Sequence, residues 1–314
     1  MAMEIVRDVE TLKLEENVNI HPTSYRVSTI TCNGSLGCNI DLNLLYNHTE
    51  LSATCQDNHF VWIEFGTERS RGIYPKKRKS GAIRKKSFDN QVTMIYKMRD
   101  GYAPNIKVFR NGNIQMTGIR CPEDGMDMIK RIAKEINRIK EKEKEKEPEI
   151  EGSIYTDELK PGDFKIRMIN SDFSFDFRIR RKDLHMLLIS SKYNTTSSFQ
   201  PGTYPGVKIQ YFWNKNSHHK CGHCECVNPC YGRGTNEITR PVIALENKTQ
   251  EQEGGDKEET TIQCKKVTIS VFESGKILIT GATSYEQIDE AYAYIVKVIQ
   301  DNMERIKKNN IPCD

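Results

Sequence analysis

The chain has 314 residues, of which 37% are apolar and 29% are charged, with 20 Gly, 11 Pro and 10 Cys. This composition is typical of a soluble globular protein with one large domain or two similar halves, and it excludes fibrous, wholly disordered and disulfide-stapled small proteins. No stretch approaches the roughly 18 apolar residues of a membrane helix, and acidic residues stand where a signal peptide would have its apolar run. We therefore expect an intracellular protein with reduced thiols, neither secreted nor attached to a membrane.

Positive charge is concentrated in one segment. The formal net charge is only +4, but residues 69–86 contain nine Lys or Arg and no acidic residue, so the rest of the chain is net acidic. Such a density suits a phosphate backbone or another anionic surface. A solvated loop or a localisation signal is the alternative interpretation.

The predicted elements follow the same order twice along the chain. A strand (25–31, then 164–170) leads into a helix (42–51, then 182–193), and several strands follow. A long helix closes each copy, because apolar residues recur there at spacings of three and four. These are Ile129, Ile132, Ile136 and Ile139 in the first copy, and Ile288, Ala291, Tyr292, Ile295 and Ile299 in the second. Ser284 and Gln287 have the spacing of a capping box at the start of the second closing helix.

An internal repeat defines the predicted domains. Residues 106–119 read IKVFRNGNIQMTGI and residues 269–282 read ISVFESGKILITGA, which indicates a duplicated unit. The second copy carries a Cys-rich and acidic insertion. The predicted segments are a tail (1–20), copy one with the basic loop 69–86 (21–146), a charged linker (147–162), copy two with the insertion 214–264 (163–308) and a tail (309–314).

The faces of the repeated hairpin indicate a binding surface. Neighbouring side chains of a strand point to opposite faces, so Val267, Ile269 and Ile277 share a core face. Phe109 and Phe272 then occupy the other, half-polar face at matched positions. Their recurrence favours an open sheet that grips something flat and stackable, and ordinary packing beneath a covering element is the alternative.

The hairpins and several flanking stretches resemble the TATA-box-binding protein family. The stretch VFESGKILITGATSYEQIDEAY (271–292) is similar to that family's second copy, and Val27-Ser28-Thr29 with Leu36-Gly37-Cys38 looks like its first strand and helix entry. The resemblance covers residues 22–140 and 163–302. It implies an α+β saddle, in which two pseudo-symmetric repeats form one curved antiparallel sheet with helices on the convex side. The Cys-rich insertion is similar to that of divergent relatives in large DNA viruses.

This resemblance implies a general transcription initiation factor that binds promoter DNA in the minor groove and bends it, by pushing aromatic side chains between base steps. Its partners would be double-stranded DNA, other initiation factors and an RNA polymerase, in the nucleus or in a cytoplasmic viral factory. The DNA-binding residues implied by position are Phe109, Phe272, Tyr204, Phe88, Val27, Gln115, Thr117, Leu278 and Thr280, with Lys77, Arg78, Lys85 and Lys86 from the basic loop. The chain departs from the family at Tyr25 and Met168, which replace its two central Asn, so the resemblance does not by itself imply strict TATA recognition.

Two other functional classes are alternatives to this one. The first is a saddle-fold scaffold that binds protein or RNA and has lost TATA-specific DNA binding. The second is an enzyme, for which the chain lacks phosphate-binding, nucleophile-elbow and metalloprotease motifs. The segment from His223 to Cys230 also fails the zinc-deaminase signature, because Arg233 stands where its last Cys would be. We therefore expect no catalysis.

A cluster of cysteines in the insertion predicts a structural zinc site. The predicted ligands are Cys221, Cys224, Cys226 and Cys230, whose short spacing is typical of tetrahedral zinc, and Cys264 is a further possible ligand. Nearby histidines leave other combinations open. The alternatives are an unstructured reduced loop and an oxidation-sensing dithiol.

Overall fold

The computed structural model describes residues 21–66, 69–75, 89–145, 152–217, 219–224, 226, 230 and 264–308. These residues form two compact units, unit 1 (28–169) and unit 2 (21–27 with 170–308). Both predicted tails, most of the basic loop and the acidic part of the insertion lie outside the described residues. Each unit is an antiparallel sheet with helices packed on it, which confirms the predicted α+β class.

Unit 1 contains a sheet with the strand order β3-β2-β4-β5-β6-β1-β7. Two helices, α1 and α2, pack against strands β2, β4 and β6. The elements are β1 (Arg26–Ser35), α1 (Leu42–His48), β2 (His59–Phe65), β3 (Arg69–Gly72), β4 (Gln91–Lys97), β5 (Asn105–Phe109), β6 (Asn113–Ile119), α2 (Pro122–Lys144) and β7 (Gly162–Ser174). The first residues of β1 and the last residues of β7 belong to unit 2.

Unit 2 contains a sheet with the strand order β7-β11-β10-β9-β8. Helix α4 packs against β9, β10 and β11, whereas α3 packs against β8, β9 and α5. The elements after β7 are α3 (Arg181–Ile189), β8 (Ser197–Ser198), β9 (Val207–Trp213), β10 (Lys265–Val271), β11 (Lys276–Ala282), α4 (Tyr285–Gln300) and α5 (Met303–Ile306). No helix in the described ranges combines the length and apolar character needed to span a bilayer.

The core of each unit lies between its sheet and its helices. The alternate residues of the two repeated hairpins that face the helices are buried, as strand alternation predicts: Ile106, Val108, Ile114 and Met116 in unit 1, and Val267, Ile269, Val271, Ile277 and Ile279 in unit 2. The predicted isoleucines of α2 and α4 are also buried. A fully buried aliphatic side chain contributes about 1.5–3 kcal/mol, so these two layers carry much of the stability of each unit.

Matched backbone hydrogen bonds show that the duplication extends to the turns. In unit 1, Leu36 N–H donates to Gly112 O at 2.9 Å, and in unit 2 Phe175 N–H donates to Gly275 O at 3.1 Å. Both glycines have positive φ, +75° and +86°. A Cβ on either glycine would lie within 2.5 Å of a backbone carbonyl oxygen, so both turns require glycine for space as well as for conformation.

The first helix of each unit is shorter than predicted. Helix α1 ends at His48 because the hydroxyl and the amide of Thr49 both bond to Leu45 O. Helix α3 ends at Ile189 because Ser190 bonds to Leu187 O in the same way. Hydroxyl side chains compete with the next helical hydrogen bond in this position, which explains the early ends.

The capping of α4 also differs from the predicted capping box. Ser284 is the N-cap residue as expected, but its side chain makes no capping hydrogen bond. Gln287 reaches back one residue further, where its Oε1 accepts from Thr283 N–H at 2.7 Å. The Gln287 side chain therefore binds the residue before the N-cap and not the first-turn amides of the helix.

Candidate functional site

In the strands of unit 1, polar side chains alternate with the core residues and therefore lie on the opposite face of the sheet. We call this face the open face of unit 1. A row of register partners crosses it from β4 to β1: Thr93 with Lys107, Lys107 with Gln115, and Gln115 with Asn33. With its amide oxygen turned toward β7, Asn33 accepts from Arg167 Nε at 3.1 Å. The row offers both donors and acceptors to a ligand.

A cleft of about 760 Å³ lies on this open face. Phe109 lines it together with three cationic residues (Arg110, Lys165 and Arg167), and Asp163 is its one carboxylate among the described residues. The cleft is therefore net positive, with one aromatic ring at its edge. Sequence reasoning missed Lys165 and Arg167, although their spacing of two in β7 places them on one face.

The predicted residues of unit 1 are distributed over this face. Gln115 lines the cleft and is half-buried, whereas Thr117 lies two residues further along β6 and is exposed. Val27, in the part of β1 that belongs to unit 2, is half-buried. Phe88, Lys77, Arg78, Lys85 and Lys86 lie outside the described residues.

The described start of the basic loop is bound to helix α1. Arg69 donates to Asn43 Oδ1 and Asn47 Oδ1 at 3.0 and 3.1 Å, and its guanidinium lies 4.5 Å from the centroid of the Tyr46 ring. Arg71 donates to Thr49 O at 2.8 Å. These two arginines therefore stabilise the helix side of unit 1, and their guanidinium groups are engaged within the protein.

Unit 2 carries an aromatic pair on the sheet face opposite the buried core residues of β10 and β11, which we call the open face of unit 2. The rings of Tyr204 and Phe272 have centroids 5.8 Å apart and an interplanar angle of 57°. Lys208 Nζ lies 4.1 Å from the centroid of the Tyr204 ring, a cation–π distance. Leu278 and Thr280, two other predicted residues, are half-buried in β11. The structure thus brings Tyr204 and Phe272 into direct contact.

Gly206 leaves the space that the aromatic pair occupies. A Cβ at this position would lie 2.9 Å from Tyr204 Cε1 and 3.2 Å from Phe272 Cε1. Any larger side chain would push one ring away from the other. The Tyr-Pro-Gly turn and the Phe272 turn are therefore fitted to each other.

Four cysteines of unit 2, in the chain between β9 and β10, form a compact sulfur group. Their Sγ atoms all lie within 4.8 Å of one another, and the residues are Cys224, Cys226, Cys230 and Cys264. The shorter separations are 3.5 Å (Cys226–Cys264), 3.6 Å (Cys226–Cys230) and 3.8 Å (Cys224–Cys264). Disulfide sulfurs would be about 2.05 Å apart. A tetrahedron with zinc–sulfur bonds of about 2.3 Å has edges of about 3.8 Å, so the thiols have the spacing of a Cys₄ metal site.

Backbone amides point at these sulfurs. Cys230 N–H donates to Cys224 Sγ and Cys264 N–H donates to Cys230 Sγ, both at 3.2 Å. Burial raises the pKa of Cys224, but hydrogen bonds from the Cys230 and Cys226 amides and from neighbouring thiols outweigh it and leave the pKa lowered. Burial raises the pKa of Cys226 to about 11. Amide donors to sulfur stabilise thiolates, the form that binds metal.

Three of the four predicted ligands are in this group, and Cys264, named as a further possible ligand, is the fourth member. Cys264 directly precedes β10, whose first residue Lys265 pairs with Trp213 at the end of β9. Cys221 lies apart from the group, near Tyr211 and Tyr294, where it raises the pKa of both phenols together with the larger effect of burial. Only strand pairing, which the Cys spacing does not encode, brings Cys264 to the cluster.

Comparison with known proteins gives matches of three kinds. Residues 257–302 match the family model described as "Transcription factor TFIID (or TATA-binding protein, TBP)". A "TATA-box-binding protein-like" protein of Acanthamoeba polyphaga mimivirus is 29% identical over 315 residues, which cover 97% of this chain and 72% of the viral protein. Methanococcus jannaschii TBP matches with a TM-score of 0.43 and 15% identity over 88% of this chain and 98% of that one.

The family match falls on the hairpin and helix where the repeated Phe-x-x-Gly turn, β11 and α4 lie. The viral match extends the similarity over nearly the whole chain, including both copies of the repeat. The family is one of transcription factors, not of enzymes. The chain is thus similar to the TATA-binding protein family in residues 257–302, and to a TATA-box-binding protein-like viral protein over nearly its whole length.

Proposed function

We propose that the protein is a transcription initiation factor that binds duplex DNA in the minor groove through its open faces and bends it. Aromatic residues on the open faces would enter between base steps: Phe109 in unit 1, and Phe272 with Tyr204 in unit 2. The observation that carries this proposal is the ring pair on a half-polar sheet face, 5.8 Å apart and backed by Gly206. Apolar wedges unstack base steps and kink the duplex toward the major groove.

The polar residues beside these rings suit the minor groove. The polar side chains of Gln115, Asn33 and Thr280 would meet the base edges, where A·T pairs display hydrogen-bond acceptors. Arg110, Lys165 and Arg167 line the cleft next to Phe109 and would neutralise phosphates. Arginine also favours narrow, A·T-rich minor grooves, whose negative potential is enhanced.

We expect a preference for A·T-rich DNA without strict recognition of a TATA sequence. Tyr25 stands where the family has one of its central Asn, and its hydroxyl donates to Asp289 on helix α4. Its ring also contacts Tyr292, with centroids 5.6 Å apart. A side chain bound to the helix in this way is not free to read a base edge.

The same proposal extends to partners and place of action. Other initiation factors and an RNA polymerase would bind the complex of this protein with promoter DNA. The protein would act where its template is transcribed, in a nucleus or in a cytoplasmic viral factory. It would have no reaction to catalyse.

We also propose that the sulfur group holds a structural zinc ion through Cys224, Cys226, Cys230 and Cys264. A closed set of four thiols with amide donors has the chemistry of a structural zinc site, with no position left for a substrate. Elemental analysis of protein purified without chelator should give one zinc per chain. A C226S variant should lose the zinc and C221S should retain it, whereas a zinc-free wild-type protein would refute the site.

Fluorescence binding to A·T-rich and G·C-rich duplexes at two salt concentrations tests the DNA proposal. We expect tighter binding to the A·T-rich duplex, with an affinity that falls as salt rises because phosphate contacts release counterions. Weak binding without base preference, which disappears at the higher salt, would indicate that the open faces serve a protein or RNA partner instead.

A further inference from the structure

Arg181, the first residue of helix α3, connects the two turns that carry the aromatic pair. Its Nη1 donates a hydrogen bond to the carbonyl oxygen of Pro205. Its Nη2 donates to Glu273 Oε2 at 2.8 Å. Pro205 follows Tyr204 in the chain and Glu273 follows Phe272, so one guanidinium spans both turns one residue away from each ring.

The guanidinium is restricted on its remaining sides. Only 22% of the Arg181 side chain and 27% of the Glu273 side chain are exposed. The carbon at the centre of the guanidinium lies 5.3 Å from the centroid of the Phe199 ring. A planar fork that stacks on a ring and donates in two directions fixes the orientation of both acceptors, which a flexible ammonium group does not do.

Other hydrogen bonds hold each turn separately, and the β9–β10 ladder pairs the strand ends that lie directly beside both turns. Ile179 N–H donates to Glu273 O at 2.8 Å, and Phe272 N–H donates to Lys276 O at 2.9 Å. Tyr204 N–H donates to Gln200 O at 2.9 Å within its own turn. Among the described side chains, Arg181 is the one that donates hydrogen bonds to both turns.

Two further cations bind the same carboxylate without touching the Tyr204 turn. Arg178 Nη2 donates to Glu273 Oε1, and Lys308 Nζ donates to that oxygen at 2.9 Å. They neutralise Glu273 and hold it on the α3 side. Arg178 is therefore a matched control, since it has the same side chain and the same acidic partner but no bond to Pro205.

We propose that Arg181 is a positioning residue that sets the relative placement of the Tyr204 and Phe272 rings. The inference rests on the proposed function for its effect on DNA, because it names a residue that prepares the unit 2 aromatic pair for insertion. It does not require Arg181 itself to touch DNA. Without Arg181, the backbone hydrogen bonds of each turn and the β9–β10 ladder remain, but the two turns lose the side-chain contact that fixes the residues next to the rings relative to each other.

The test without DNA uses 4-fluorophenylalanine incorporated at position 272 and ¹⁹F NMR. We expect R181Q to shift and broaden the Phe272 resonance, because the ring moves relative to Tyr204. R178Q should leave the resonance close to that of the wild type. R181K, which keeps the charge but lacks the fork, should resemble R181Q. An R181Q spectrum identical to the wild type, or equal changes in R178Q, would overturn the proposal.

The test with DNA measures affinity and end-to-end energy transfer on one A·T-rich duplex. We expect R181Q to reduce the bend severalfold more than R178Q does, while both variants lose a similar, small part of their affinity in low salt. Equal bending by R181Q and wild type would contradict the positioning role. If the wild type leaves the duplex straight, the proposed function fails, and the ¹⁹F result then decides the positioning role by itself.

Discussion

The Phe109 turn of unit 1 and the Phe272 turn of unit 2 share a backbone frame but carry opposite charges. Ile40 N–H donates to Arg110 O and Ile179 N–H donates to Glu273 O, both at 2.8 Å. The residue after the aromatic ring is thus Arg110 in one unit and Glu273 in the other. Ile40 and Ile179 each lie just before the first helix of their unit. In unit 1 this helix, α1, is capped by the acidic Asp41, whereas α3 in unit 2 starts at the basic Arg180 and Arg181.

This reversal shows how a duplicated frame acquires two roles. In unit 1 the cation lies on the open face and lines the cleft, where it is available to an anionic ligand. In unit 2 the anion is bound by three cations behind the turn, where it orders the aromatic pair. The open face of unit 1 therefore offers positive charge to a ligand, whereas that of unit 2 offers two aromatic rings in a fixed arrangement.

The largest expected effect is the loss of stability on zinc removal, which should affect unit 2 and not unit 1. Removing zinc with a chelator, or replacing Cys226 by Ser, should destabilise unit 2 by about 4 kcal/mol if zinc is present at a thousandfold excess over its Kd. The thiols join the ends of β9 and β10, whose Trp213 and Lys265 are paired. Hydrogen exchange should report the loss in β9 and β10 and leave β5 and β6 protected. Equal loss of protection in both units would contradict a metal role confined to unit 2.

Next in size is the cost of a side chain at the matched turn glycines. Gly112→Ala and Gly275→Ala should each lower the free energy of unfolding by about 2 kcal/mol or more, from left-handed φ and the carbonyl contact. Gly101→Ala is the control: its φ is +73° but no atom lies within 4 Å of its Cβ, so it should lose only about 1–2 kcal/mol. Urea unfolding measures all three. A turn glycine that tolerates Ala better than Gly101 does would refute the shared frame.

A smaller effect concerns the salt dependence of DNA affinity, to which Arg110 and Glu273 should contribute differently. R110Q removes a cation from the cleft and should reduce the slope of log affinity against log salt by about 0.9, the value for one phosphate contact. E273Q should leave that slope unchanged, because Glu273 faces cations of its own unit. Titrations at four salt concentrations measure both slopes. If R110Q leaves the slope intact, unit 1 does not use its charge as proposed.

The smallest effect is the pH dependence of the Glu273 cluster. A hydrogen bond from Lys308, with the charges of Lys308, Arg178 and Arg181, lowers the pKa of Glu273 below its ordinary value of 4.5. A lowered folded pKa contributes stability above pH 4.5, and this contribution is lost as pH falls through the folded value. We expect the ¹⁹F resonance of position 272 to stay constant from pH 7 to 5 and to change only below 4.5. E273Q should remove that acid transition, and a change between pH 5 and 7 would contradict this assignment.

Much of the fold was accessible from local patterns. Strand alternation identified the buried residues of both hairpins, and spacings of three and four identified the isoleucines of α2, because both depend only on neighbours in the chain. The first helix pair was less well predicted. The predicted ranges 42–51 and 182–193 extend beyond the ends of α1 and α3, and the N-cap is Asp41 in the first helix but Arg180 in the second. A repeat that conserves backbone contacts while exchanging charges misleads an alignment based on residue type.

The candidate site was predictable only in part for the same physical reason. The Phe positions follow from the repeat, and Tyr204 follows from the family resemblance, but their contact depends on the space left by Gly206. Arg181 reaches its two partners across 24 and 92 residues of sequence, which no local pattern reports. Cys264 likewise joins the other three thiols only because β9 pairs with β10.

The most direct test of the central claim is end-to-end energy transfer across an A·T-rich duplex bound by wild type and by F109A/F272A. The wild type should shorten the end-to-end distance, because rings inserted between base steps kink the duplex. The double variant should still bind weakly in low salt through its cations but leave the duplex straight. A straight duplex under saturating wild-type protein, or an equal bend with the double variant, would contradict the account.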